Sequence, residues 1–133
     1  MERELEKSLR RRSTVELTHY GRRSGRSYRV KIWFAVIDDR IWIGSLDANR
    51  AWVKNVTADG RARLDFGSGS VECHLEPVEE VAAVERFARA IRRRHPILAP
   101  VLALLVRGRR RVFATRERAS ELLQAFRASS NSA

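Results

Sequence analysis

The most restrictive stretch of this chain is SYRVKIWFAVI, residues 27–37. In an extended backbone Val30, Ile32, Phe34 and Val36 fall on one face, and Trp33, Ala35 and Ile37 on the other. β-Branched and aromatic residues at period two, with no glycine or proline among them, specify a strand. Apolar residues on both faces require its second half to be covered on both sides.

The flanking sequence supplies partners. Upstream, Val15 and Leu17 alternate with Thr14, Glu16 and Thr18 as a half-buried strand, joined through the turn GRRSGR, Gly21 to Arg26. Downstream, Asp38-Asp39-Arg40 makes a short turn into a third strand, IWIGSL. Ala51, Trp52, Asn55 and Val56 then recur at helical spacing, with Asn49 as the expected N-cap and Asp59-Gly60 as the stop. RARLDF and VECHLEPV alternate around GSGS, a hairpin signal. An amphipathic helix over Val81–Arg94 places Val81, Val84, Phe87, Ala88 and Ile91 on its core face. RRRVFAT reads as a final strand and RERASELLQAF as a closing helix with Leu122, Leu123 and Phe126 inward. The apolar segment Pro96–Val106 is read as a short buried piece of open type. Six strands linked by tight turns, with three or four helices, predict an α+β, mainly β fold: a closed or half-closed antiparallel β-barrel with flanking helices.

A length of 133 residues allows one core, so a single domain over 1–128 is expected, with an N-terminal helix in 1–12 and a disordered tail at 129–133. The longest apolar run, PILAPVLALLV, is shorter than the roughly 20 residues that span a bilayer. MERELEKSLRRR lacks the apolar core of a signal peptide, and a cytoplasmic location is the expectation. A formal charge of +11, nearly all arginine, implies a field that attracts anions: nucleic acid, lipid headgroups or a polyanionic small molecule.

Groups that titrate in catalysis are sparse. His19, His74 and His95 are scattered, none in a metal-ligand spacing, and each reads as structural. Cys73 is the lone cysteine and shares the apolar face of Val71 and Leu75. No side chain is therefore assigned as catalytic and none as a metal ligand. Such a chain can still catalyse a redox reaction by holding a cofactor that carries the chemistry. GRRSGR then reads as an anion cradle, in which glycines allow close approach, Ser24 donates a hydroxyl and arginines fork onto oxyanions. The same six residues also read as a solvated basic hairpin tip.

The order GRRSGRSYRVKIWF, then IWIGSL, then AWVKNV resembles the deazaflavin-dependent nitroreductase family of the flavin-reductase-like split β-barrel superfamily, over about Leu17 to Val78. The resemblance implies an FMN-binding split-barrel-like fold and an oxidoreductase that uses coenzyme F420, with FMN as the alternative cofactor. It implies hydride transfer from the reduced deazaflavin to a small organic acceptor of the nitro, quinone or enone type. Carried over position by position, it makes Arg22, Arg23, Ser24 and Gly25 the grips of the anionic tail, with Arg29 just inside the second strand. Gly44 and Ser45 end the third strand beside the cofactor, and Trp52 and Asn55 are the tryptophan and asparagine of the adjoining helix. Trp52 also reads as core, given its spacing to Val56. Ser27-Tyr28 departs from the family's Pro-Arg, and no tyrosine-rich C-terminal region is present. A homodimer is expected by the same resemblance. The competing reading is a non-enzymatic basic protein whose RRRH (Arg92 to His95) and RGRRR (Arg107 to Arg111) engage nucleic acid or a protein partner.

Overall fold

The computed structural model describes residues 14–45, 49–67, 69–94, 96 and 111–131, the side chains of 126–131 excepted. The expected helix in 1–12, residues 97–106 of the apolar segment, His95, Arg107 to Arg110 and the Phe126 side chain lie outside these. The element order is β1 (Thr14–Tyr20), β2 (Ser27–Ile37), β3 (Arg40–Ser45), α1 (Ala51–Ala58), β4 (Arg61–Asp65), β5 (Ser70–Val78), α2 (Val81–Arg94), β6 (Arg111–Thr115) and α3 (Ala119–Asn131). The strands close into an antiparallel barrel in the order β1-β2-β3-β6-β5-β4. This is the split β-barrel expected from the sequence.

Its split lies in two shared strands. Residues Ser27–Trp33 of β2 pair with β1, whereas Phe34–Ile37 pair with β3. β5 divides likewise, Ser70–His74 pairing with β4 and Leu75–Val78 with β6. Two four-stranded sheets, one with β1 and β4 and the other with β3 and β6, thus share β2 and β5.

The period-two pattern sorts into two cores. Val15, Leu17, Ile32, Phe34, Ile43, Leu64 and Phe113 fill the barrel interior. Ala35, Trp42, Val112 and Ala114 point outward beneath Phe87 and Ile91 of α2. Residues Phe34 and Ala35 are both buried, so double-sided coverage of β2 holds there. Val36 departs from expectation: at the strand's end it is 40% exposed, past the reach of the interior. Val81 departs too, at 72% exposed, because the first turn of α2 overhangs the sheet.

The registers place α1 and α3 at opposite ends. α1 follows the end of β3 that lies beside the GRRSGR turn, and sends Trp52, Val53 and Val56 into the interior. α3 begins beside the β2–β3 turn and inserts Ala119 and Leu122. Asp38 and Asp39 both take positive φ, 51° and 58°, the pattern of the two-residue hairpin that fits the right-handed twist of strands. Asp39 also anchors α3: its carbonyl accepts the Ala119 N–H at 2.6 Å and its carboxylate accepts the Ser120 N–H at 3.2 Å. Two boundaries differ from the sequence reading. Arg50, not Asn49, is the N-cap of α1, without a side-chain cap. α3 runs to Asn131 and takes in residues 129–131, expected as tail. Among the described residues no helix is long and apolar enough to cross a membrane.

Candidate functional site

At the α1 end the β1–β2 ladder continues to Tyr20 opposite Ser27, while β3 has left the edge of β2 beyond Phe34. Side chains that would face the interior therefore face an opening. His19 and Tyr28 are directly opposed, like Leu17 and Val30 one step deeper, so all four share the inner face. The His19 and Tyr28 rings stack with centroids 5.7 Å apart. Together with the GRRSGR turn and the first turns of α1 they line an open cavity of about 550 Å³, within the size range of small-molecule sites.

The turn is built by its two glycines. The Gly21 N–H donates to the Arg26 carbonyl at 2.8 Å, and the Gly25 N–H to the Gly21 carbonyl at 2.9 Å. Gly25 has φ +69°, a region that glycine enters without a Cβ penalty. A Cβ on Gly21 would meet Ser24 Oγ at 2.8 Å and the Tyr28 ring at 3.1 Å. The glycines therefore serve the bend itself.

Asn55, 4% exposed, locks the bend to α1. Its Oδ1 accepts the Arg22 backbone N–H at 3.2 Å and an Arg22 guanidinium N–H at 2.9 Å. Its Nδ2 stands 3.1 Å from His19 Nδ1. Arg22 is thus partly committed to structure. Arg23 and Ser24 are exposed at the rim, and Arg50 adds a third guanidinium from the start of α1. Among the described residues that line it there is no carboxylate. Burial pushes the His19 pKa below its ordinary value, which keeps the imidazole neutral. The cavity therefore combines positive charge at its rim with a neutral aromatic wall, an arrangement suited to a planar ligand with an anionic arm.

Five of the nine residues singled out from the sequence line this cavity: Arg22, Arg23, Ser24, Trp52 and Asn55. Trp52 does so while 4% exposed and packed against Phe113, so it belongs to the core as well as to the wall. The other four stand elsewhere. Gly25 is exposed, with open space where a Cβ would stand, and is not among the lining residues. Arg29 opposes Thr18, on the other face of β2 from Tyr28 and Val30, and pairs with Glu16 at 3.9 Å. Gly44 lies under α2, where a Cβ would come within 2.5 Å of the Phe87 ring, and Ser45 opposes Arg111. Sequence reasoning missed His19, Tyr28, Val30 and Arg50. Continuing the Val15, Leu17 alternation by one step finds His19, and continuing Ile32, Val30 finds Tyr28.

His74 and Cys73 fall where the sequence placed them. His74 is exposed and bonds Glu117 at 3.0 Å. Cys73 is buried, and burial pushes its thiol up to about 12, away from reactivity.

No family model matches this sequence, and no curated protein is similar to it. Solved structures share the fold. The conserved hypothetical protein Rv2991 from Mycobacterium tuberculosis superposes with a TM-score of 0.69 at 22% identity, over 88% of this chain and 81% of that one. HutZ, the heme storage protein from Vibrio cholerae, gives 0.69 at 11% identity, over 86% and 87%. An F420-H2-dependent reductase, FDR-A, gives 0.63 at 17% identity, over 79% and 95%. At such identities the likeness establishes the split barrel and leaves function to the residues.

Proposed function

We propose that this chain is an oxidoreductase that binds coenzyme F420 in the barrel-mouth cavity and uses it to reduce a small organic acceptor, with FMN as the alternative cofactor. One observation carries the reading: Arg22, Arg23 and Ser24 of the basic bend and Trp52 and Asn55 of α1, separate in sequence, line one cavity. The residues fit such a group. Arg23 and Arg50 offer forked donors to phosphate or carboxylate oxygens, and Ser24 adds a hydroxyl. Arg22 and Asn55 hold the bend at a fixed distance from α1, so the donors are placed before a ligand arrives. Val30, Trp52 and the His19–Tyr28 pair form the apolar wall for a planar ring. The bound deazaflavin would supply the hydride; the chain's own part is binding, orientation and exclusion of water. The likeness to FDR-A supports this choice, and the homodimer expected by resemblance belongs to the same proposal.

Titration with F420 and FMN, followed by quenching of the three tryptophans, tests it. A dissociation constant of about 1 μM or tighter is expected, equivalent to about −8 kcal/mol. Arg23→Glu and Arg50→Glu should weaken F420 far more than an analogue without its tail. Failure to bind either cofactor overturns the proposal; equal losses for tailed and tail-less forms would show that these arginines do not hold the tail.

A further inference from the structure

The cavity lining includes one imidazole, His19, and its hydrogen bonds fix where its proton resides. The Asn55 atom that receives two N–H donors from Arg22 must be the amide oxygen. The other end of that amide, an NH2 that can only donate, therefore faces His19 Nδ1. Nδ1 must then be a bare acceptor, and the neutral ring carries its hydrogen on Nε2. Protonating Nδ1 as well would set donor against donor in a buried contact, and burial itself disfavours the charged ring. Nε2 makes no hydrogen bond to any described residue. His19 lines the cavity, and with Nδ1 turned to Asn55 its Nε2–H is the ring donor left to meet an occupant.

We infer that His19 is a ligand-recognition residue: it presents a fixed, uncharged Nε2–H donor that selects occupants of the barrel mouth by a carbonyl or phosphoryl oxygen. This rests on the cofactor reading given above and adds to it a polar specificity element at a residue that reading uses only as part of the ring's wall. The arginines at the rim attract any anion, because a charge acts at a distance. A neutral donor fixed by Asn55 and the Tyr28 ring acts only on an acceptor atom at one place, and rejects a ligand that offers N–H or O–H there.

The test uses the full chain labelled with ¹⁵N, with F420, FMN and riboflavin as probes. Without ligand at neutral pH, the His19 resonances should report the Nε2–H tautomer. On saturation with F420 or FMN the tautomer should persist while Nε2–H shifts and exchanges more slowly with water. His19→Phe, which keeps a flat ring but no donor, should weaken cofactor binding roughly ten- to a hundredfold. His19→Gln restores a donor near the Nε2 position and should stay within a few-fold of wild type. A similar penalty for riboflavin and FMN assigns the contact to a ring carbonyl; a penalty confined to FMN assigns it to phosphate. Detection of Nδ1–H or of imidazolium at neutral pH overturns the inference even if both variants fail to fold. Wild-type affinity in His19→Phe overturns it while leaving the cofactor reading intact. A wild type that binds none of the probes removes both.

Discussion

Asn55→Ala is the perturbation that most directly interrogates the barrel mouth. The side chain it removes is buried, accepts two bonds from Arg22 and donates one to His19. The Arg22 guanidinium is exposed and returns to water, so its bond contributes little to the difference. Loss of the Arg22 backbone bond costs about 1 kcal/mol, and an unpaired Nδ1 on buried His19 costs about 1–3 kcal/mol more. The expected total is about 2–4 kcal/mol, read as a fall in urea midpoint of roughly 1–2 M at unchanged slope. Asn55→Asp makes a sharper contrast. Its carboxylate still accepts from Arg22, but toward His19 it can only accept, so the imidazole must turn donor at Nδ1 and its pKa must rise. That variant should lose less stability at pH about 6 than at pH about 8, the reverse of wild type. An Asn55→Ala loss within about 0.5 kcal/mol of that of Lys54→Ala, on the exposed side of the same helix, would refute the clamp.

Two further outcomes follow from the packing and the charges. The folded His19 has a lowered pKa, so the unfolded chain binds the extra proton first as pH falls through about 6.5. Stability therefore declines from that point toward the folded pKa, by at most about 1.4 kcal/mol per pH unit, and then levels. The decline should be absent from His19→Gln and so appear in full in the difference between wild type and that variant, while Asp38, Asp59 and Glu117, whose pKa values are lowered, act in the carboxylate range below. Separately, Gly60→Ala should cost about 1–3 kcal/mol and exceed Gly44→Ala. A Cβ at Gly60 would lie 2.5 Å from the Leu75 carbonyl oxygen, which is backbone, whereas at Gly44 the 2.5 Å contact is with the Phe87 side chain and the nearest backbone atom, the Arg111 carbonyl oxygen, is at 3.1 Å. Equal urea midpoints for the two variants would contradict this.

Most of the fold was legible because strands and turns announce themselves locally. The doubly apolar second half of SYRVKIWFAVI, the GSGS hairpin and the amphipathic period of α2 each produced the element expected. Val36 and Val81 were misplaced for a common reason: both stand at element ends, where a facing partner runs out before the pattern does. Legibility of the site was uneven. The basic bend and the Trp52–Asn55 helix could be paired by resemblance, but transferring Arg29 ignored parity, which puts it opposite to Tyr28 and Val30. Gly44 and Ser45 are not among the residues that line the cavity, and Phe87, many residues later, occupies the space beside Gly44. The Asn55 clamp, which joins the Gly21–Arg26 bend to α1 across 33 residues, has no local signature at all. It exists only once the barrel has brought its mouth together.

The strand order bears on how the molecule is made. β6 is the last strand in the chain, yet it fills the gap between β3 and β5. A nascent chain that has emerged only through Val78 leaves the β6-facing edges of β3 and β5 without the strand that pairs with them. Completion of the ring must wait for Thr115 to clear the ribosome, so the interval of synthesis between those residues is when this protein most needs shielding from its neighbours.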